Sequence, residues 1–333
     1  MLFNSFNTIS KLPKRLGGAK QPNFVQVSST IAATTYYGVG ISNTGQYILA
    51  LNGSGSAGFL YVSSNFGASF ITISGQIPTN LCYPCAVSGT GQYMVMMISN
   101  GYMYRSENYG VNWAQVTNIS TTKNWTSVAL SKNGQYCLAS GNTPTNNLFV
   151  SDNFNTSTPT FTQVSVFTSM NNPPYSNVIS TNGDKMIQAN VNDGIAISSN
   201  YGVSFTKITN ATLGLSTFTH NCITMTPDTS NVYLAKSDGL FKSTNLWSGS
   251  PTFTQITSGI FTEQTWRSVV VSSDGTYVVA STAAKTYYSS NSGATWAVCY
   301  AGRLEMMSMS EDAKYIIASN YPGGSSKVIL SSI

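Results

Sequence analysis

Charge is what this chain has least of. Asp, Glu, Lys and Arg make up 8% of its 333 residues, against roughly 25% in an average soluble protein. Eleven acids and one histidine leave little material for acid–base or metal chemistry, so no metal site and no cofactor is expected. No stretch of about 18 apolar residues is present, which argues against a membrane-spanning helix. MLFNSFNTISKL lacks the basic start and apolar core of a secretory signal, so export by that route is not expected. The five cysteines, Cys82, Cys85, Cys137, Cys222 and Cys299, are odd in number and irregularly spaced, unlike a disulfide framework. Cys82-Tyr-Pro-Cys85 is a lone pair without the two further ligands a zinc site needs.

What is abundant is repetition. Seven times a Ser/Thr-led turn is followed by a short apolar run. The copies are SNTGQYILA from Ser42, SGTGQYMVM from Ser88, SKNGQYCLA from Ser131, STNGDKMIQ from Ser180, TPDTSNVYLA from Thr226, SSDGTYVVA from Ser272 and SEDAKYIIA from Ser310. Successive starts lie 46, 43, 49, 46, 46 and 38 residues apart. Short strands repeating with a period in the forties are the spacing of propeller blades. The third repeat reads as strand a over 125–130, b over 135–139, c over 148–150 and d over 161–164, bounded by Gly, Asn, Asp and Ser.

A second motif rides on the same period: SSNFGASF at Ser63, SENYGVNW at Ser106, SSNYGVSF at Ser198 and SSNSGATW at Ser289. SDNFNTSTPTF at Ser151 and STNLWSGSPTF at Ser243 carry insertions before the aromatic. This motif resembles the BNR or Asp-box repeat of sialidase-like, sortilin-like and photosystem-assembly propellers, with Asn65, Asn108, Asn153, Asn200, Asn245 and Asn291 where the family usually has Asp. The resemblance covers about residue 23 to the C-terminus and implies a structural role for these six residues. Asn shares the turn chemistry of Asp, and the Gly two residues on supplies a positive φ.

The seventh repeat ends at KVILSSI without a strand d, whereas PNFVQVS near the start matches the d strands TFTQVS, TFTQIT and SFTKIT. The expected fold is therefore all-β: a seven-bladed propeller of four-stranded antiparallel blades, closed by an N-terminal strand at about 22–28 that completes the last blade. Residues 22–333 form one propeller in this reading. Residues 1–21, with Lys11, Lys14, Arg15 and Lys20, form a basic tail that suits an assembly contact. Without the tail the chain is close to neutral, which argues against a nucleic-acid partner.

Enzyme chemistry finds no support. Nine of the eleven acids fall in turns, leaving Glu263 and Glu305 in d–a loops as the one conceivable glycosidase pair. Four arginines, Arg15, Arg105, Arg267 and Arg303, cannot supply a three-arginine clamp at one site, and the Arg-Ile-Pro start of sialidases is absent. No catalytic residue is assigned.

The starts of the a strands carry Tyr36/Tyr37, Cys82/Tyr83, Trp125, Tyr175, His220, Trp266/Arg267 and Leu304/Glu305. Rings beside polar donors suit a sugar. The expected ligand residues are Tyr37, Tyr83, Trp125, Tyr175, His220, Trp266, Arg267, Arg303 and Glu305, though large residues there also suit structural caps. Apolar loop tips, Phe167 with Met170 and Leu213 with Leu215 and Phe218, suit a protein contact. The function expected is a non-catalytic binding propeller for a glycan or protein partner. The alternative is a structural part of a virion or surface assembly, because the Ser/Thr/Asn-rich composition is similar in style to proteins of large DNA viruses and to extracellular proteins.

Overall fold

The computed structural model describes residues 21–27, 36–52, 59–78, 82–119, 123–142, 147–164, 166, 174–190, 194–215, 222–258, 265–320 and 327–332. These hold 28 strands in seven four-stranded antiparallel sheets and no helix. The sheets form the blades of a seven-bladed β-propeller. Strands a line the centre: Tyr36–Ile41, Cys82–Val87, Trp125–Leu130, Pro174–Ile179, Cys222–Met225, Trp266–Val271 and Leu304–Met309. Strands d, at the rim, are short and largely exposed, as in Ile71–Ile73 and Ala114–Gln115. The seventh blade closes as its sequence predicts. Strand Asn23–Gln26 pairs antiparallel with Lys327–Ser332, Asn23 opposite Ser332 and Gln26 opposite Ile329. The Gln21 side chain then reaches the Val298 carbonyl on the neighbouring blade. The remainder of the basic tail lies outside the described residues.

Strand b starts later than the sequence suggests, at Cys137 rather than 135 in the third blade. Tyr136 N–H is diverted from the ladder to the Ser131 hydroxyl, at 3.0 Å. All seven blades repeat this bond: the leading Ser or Thr accepts the N–H five residues on, at 2.9–3.1 Å. The turn so formed aims its tyrosine at the next blade. A Cβ placed on Gly91 would lie 2.3 Å from Tyr47 Cδ2, on Gly134 2.4 Å from Tyr93, on Gly183 2.1 Å from Tyr136, and on Gly45 2.3 Å from Tyr315. These glycines serve twice, since each also takes a positive φ between 72° and 84°, which other residues adopt at a cost. The fifth and seventh turns manage without glycine, placing Thr229 at φ 62° and Ala313 at φ 55°.

The four shorter Asn-bearing c–d hairpins differ in one respect from their expected geometry. Both central residues have positive φ: Phe66 59° with Gly67 80°, Tyr109 60° with Gly110 81°, and Tyr201 60° with Gly202 80°. With Ala68 N–H bonded to Asn65 O at 3.1 Å, these are type I′ turns. Gly67 N–H bonds the Ser63 hydroxyl at 3.0 Å, and Asn65 Oδ1 accepts the N–H of Ser69 at 2.9 Å. The amide also donates from Asn65 Nδ2 to the Ser69 hydroxyl at 2.9 Å, and Asn200 and Asn291 repeat this to Ser204 and Thr295. Asn thus fills both of its bonding roles here. Where the hairpin is longer, Asn153 and Asn245 reach Thr160 and Thr252 instead. The strained aromatics stack on the tyrosines of the preceding blade, Tyr109 on Tyr47 at 4.7 Å, Tyr201 on Tyr136 at 5.3 Å and Phe66 on Tyr315 at 5.2 Å.

Replacing Gly183 by Ala is expected to destabilise the fold by about 1–3 kcal/mol, through strain at positive φ and a clash with Tyr136. Gly249, with nothing within 4 Å of a Cβ, is the comparison. Urea denaturation in which both variants lose equal stability would remove the turn glycines from the blade contact.

Candidate functional site

The seven a strands enclose a central cavity of about 790 Å³. Its two ends differ. At the a–b turn end, the residue after each leading Ser or Thr faces its neighbours around the axis. Backbone bonds run Asn43 N to Gly89 O (2.9 Å), Thr90 N to Lys132 O (3.1 Å), Lys132 N to Thr181 O (3.1 Å), Ser273 N to Glu311 O (2.9 Å) and Glu311 N to Asn43 O (2.8 Å). Pro227, at the matching place in the fifth blade, has no N–H to donate. Lys132 of blade 3 then reaches Glu311 of blade 7 at 3.3 Å. Blades 3 and 7 stand on opposite sides of the ring, so this ion pair is a strut across the axis.

The other end carries the expected ligand residues, and the structure divides them. Trp125 is 2% and Trp266 1% exposed. Trp125 Nε1 donates to Gly101 O at 3.0 Å, and its ring meets Phe149 edge-on at 5.6 Å. Trp266 packs on Tyr287 at 5.8 Å. Both rings are thus buried in the core, although Trp125 still borders the cavity and Trp266 does not. The reason is strand alternation, since adjacent residues point to opposite sides. A register shift follows the first residue of each described a strand except the fifth. One position later, Tyr37, Thr126, Arg267 and Glu305 border the cavity, with Asn124 and Asn142 nearby. Thr126, Asn124 and Asn142 were missed because the aromatic beside them gave the stronger signal. A one-residue shift in the alignment would have found Thr126. The side chains of Tyr83 and Tyr175, with His220 and Glu263, lie outside the described residues. So do Phe167, Met170 and Phe218.

Glu305 is held in an ion pair by Arg303. Arg267 is half-buried, and its Nε is covered without a hydrogen-bond partner. Burial pulls its pKa below the ordinary arginine value. Leu213 and Leu215, expected as exposed tips, are 4% and 8% exposed and join the core between blades 4 and 5. Arg105, on the opposite side of its blade, is also structural. It donates to Phe154 O at 2.6 Å and Ser157 O at 3.1 Å, binding blade 2 to the longer hairpin of blade 3.

Two cysteines border the cavity, Cys85 and Cys222. Cys222 stands where Ser127 and Ser176 stand in the preceding blades. Each reaches the next blade: Asn177 N–H bonds Ser127 Oγ at 2.9 Å, Ile223 N–H bonds Ser176 Oγ at 3.1 Å, and Val269 N–H bonds Cys222 Sγ at 3.4 Å. Burial pushes the Cys222 thiol up and the Cys299 thiol up to about 12.

No family model matches this sequence, and no curated protein does. Among solved structures, the β-propeller domain of Cps50 (Swd1) from Myceliophteria thermophila is similar, with a TM-score of 0.68 at 12% identity. The match covers 94% of this chain and 99% of that one. The likeness is one of fold. In all, 1485 solved chains match, so the likeness defines the architecture and nothing narrower.

Two outcomes follow. Trp125→Ala is expected to cost about 3–5 kcal/mol of stability; a thermal melt matching the wild type would restore Trp125 as a candidate ligand residue. Because a raised pKa keeps a thiol neutral at pH 8, Cys222 and Cys299 are expected to resist iodoacetamide in the folded protein. Mass spectrometry finding either alkylated as fast as in urea would contradict the burial.

Proposed function

We propose that this propeller is a non-catalytic binding scaffold that receives a glycan or protein partner at the cavity end reached by the d–a and b–c loops. One observation carries the reading: a polar rim of Tyr37, Thr126 and Arg267 around a cavity of about 790 Å³, crossed at its far end by the Lys132–Glu311 strut. Cavities of a few hundred cubic ångströms with a few convergent polar groups are what ligand sites offer. The fold is compatible with such a role, as a rigid ring that displays loops.

Two further points support a binding role over catalysis. Glu305 is engaged by Arg303, which disfavours it as half of a hydrolytic pair. Four other acids are spent on turns: Asp184, Asp228, Asp274 and Asp312 accept from Ser180, Thr226, Ser272 and Ser310. The resemblance to BNR or Asp-box propellers is supported by the Ser–Asn–Gly bonding of four hairpins, and in this reading all six Asn residues are folding elements.

The test is a glycan array and a peptide array probed with the full chain, with Tyr37→Ala and Thr126→Arg, and with residues 1–20 deleted. Binding lost in the two rim variants and kept on deletion is the expected result. Binding lost only on deletion would place the contact in the tail and favour the assembly reading. Binding indifferent to the rim variants would overturn the site.

A further inference from the structure

One charge that borders the cavity has no partner among the described residues. Among the described residues that border it, the charged ones are Lys132, Arg267, Glu305 and Glu311. Lys132 and Glu311 neutralise each other at the turn end, and Glu305 is neutralised by Arg303 at the other. Arg267 is left over, with neither an ion pair nor a hydrogen bond to a described residue. Its half-buried setting makes this costly, because a covered N–H without an acceptor loses hydration and gains nothing in return. The lowered pKa of Arg267 has burial as its cause, which is the signature of a cation that is under-solvated and uncompensated. Two other buried cations are paired, Lys236 with Asp238 at 2.8 Å and Arg105 with Glu107 and two carbonyls, while Lys123 lies over the Phe149 ring at 5.8 Å.

We propose that Arg267 anchors a singly charged carboxylate on the ligand received by this cavity. The inference rests on the binding role given above and narrows its ligand class. The guanidinium fork matches a carboxylate with two parallel N–H···O bonds. A single negative charge matches the one guanidinium that has no partner among the described residues. A doubly charged phosphate would overshoot it, beside a Glu305 that stands at the matching position of the next blade. Elsewhere on the cavity wall, Tyr37 offers a ring, and Thr126, Asn124 and Asn142 offer polar groups to the uncharged part of the ligand.

The probes are trigalacturonate and a triglutamate peptide, each beside its uncharged counterpart, galactotriose and triglutamine. Each is titrated into the full chain by calorimetry. The expected result is binding of at least one acidic probe, weakened roughly tenfold or more by Arg267→Gln, and only in part by Arg267→Lys, which keeps the charge but not the fork. Glu305→Gln, which removes the competing negative charge, is expected to tighten it. Circular dichroism melts of the three variants separate lost binding from lost folding. Whichever acidic probe binds distinguishes a sugar from a peptide source of the carboxylate. Neutral probes binding as well as acidic ones, with loss in Tyr37→Ala, would overturn the carboxylate and leave the binding site standing. Binding of acidic probes unchanged in Arg267→Gln would overturn the anchor. No binding by any probe, with blank arrays, would overturn both readings.

Discussion

One hydroxyl in each blade organises the ring. The leading Ser or Thr of every repeat is buried, at 0–2% exposure, and takes the N–H that a longer strand b would have used. That single diversion ends the ladder, tightens the turn and fixes the direction of the residue five positions on. Because the residue is usually tyrosine, the turn's local chemistry becomes a contact between blades. The c–d hairpin then closes over the same tyrosine from the next blade, as in Tyr47 between Gly91 and Tyr109. A repeat protein needs each unit to be completed by its neighbour; here the completing piece is one ring resting on one glycine.

Six of the seven seams nonetheless fall into two sorts. From blade 7 through blade 4, four successive seams use tyrosine on glycine. From blade 3 through blade 6, three successive seams use a hydroxyl or thiol of one a strand to bond the next. Only the seam between blades 3 and 4 has both. Where tyrosine gives way to Lys185 in blade 4, the lysine lies over Trp247 of blade 5 at 5.1 Å, and that indole donates to Thr229 O at 3.2 Å. With lysine in that place, no tyrosine presses on Thr229.

Much of this was legible in the sequence. The period, the blade count and the displaced closing strand all follow from pattern, because each is a statement about local chemistry repeated seven times. The ligand end was less legible. Trp125 and Thr126 are adjacent at the cavity, and only the register buries the ring of one and leaves the other partly exposed. A composition argument weights the indole, while strand geometry hides it. The Lys132–Glu311 strut was beyond sequence reasoning for another reason. Its partners are 179 residues apart, and nothing local marks either as facing the axis. Leu213 and Leu215 misled in the opposite way: loop residues with apolar side chains can be a plug for the seam below them.

The closing strand sets an order of events. Asn23 finds its partner in Ser332, so the last blade holds the earliest and latest described strands of the chain. During synthesis, blades 1 to 6 can condense as their repeats emerge, each on the one before. The first strand must meanwhile wait with its N–H and C=O groups unpaired, an exposed edge of the kind that invites association. A contact spanning almost the whole chain is entropically late and slow. Ring closure is therefore a timing problem as much as a packing one, and the waiting segment is preceded by a basic stretch of Lys11, Lys14, Arg15 and Lys20 whose like charges discourage two unfinished chains from pairing through it.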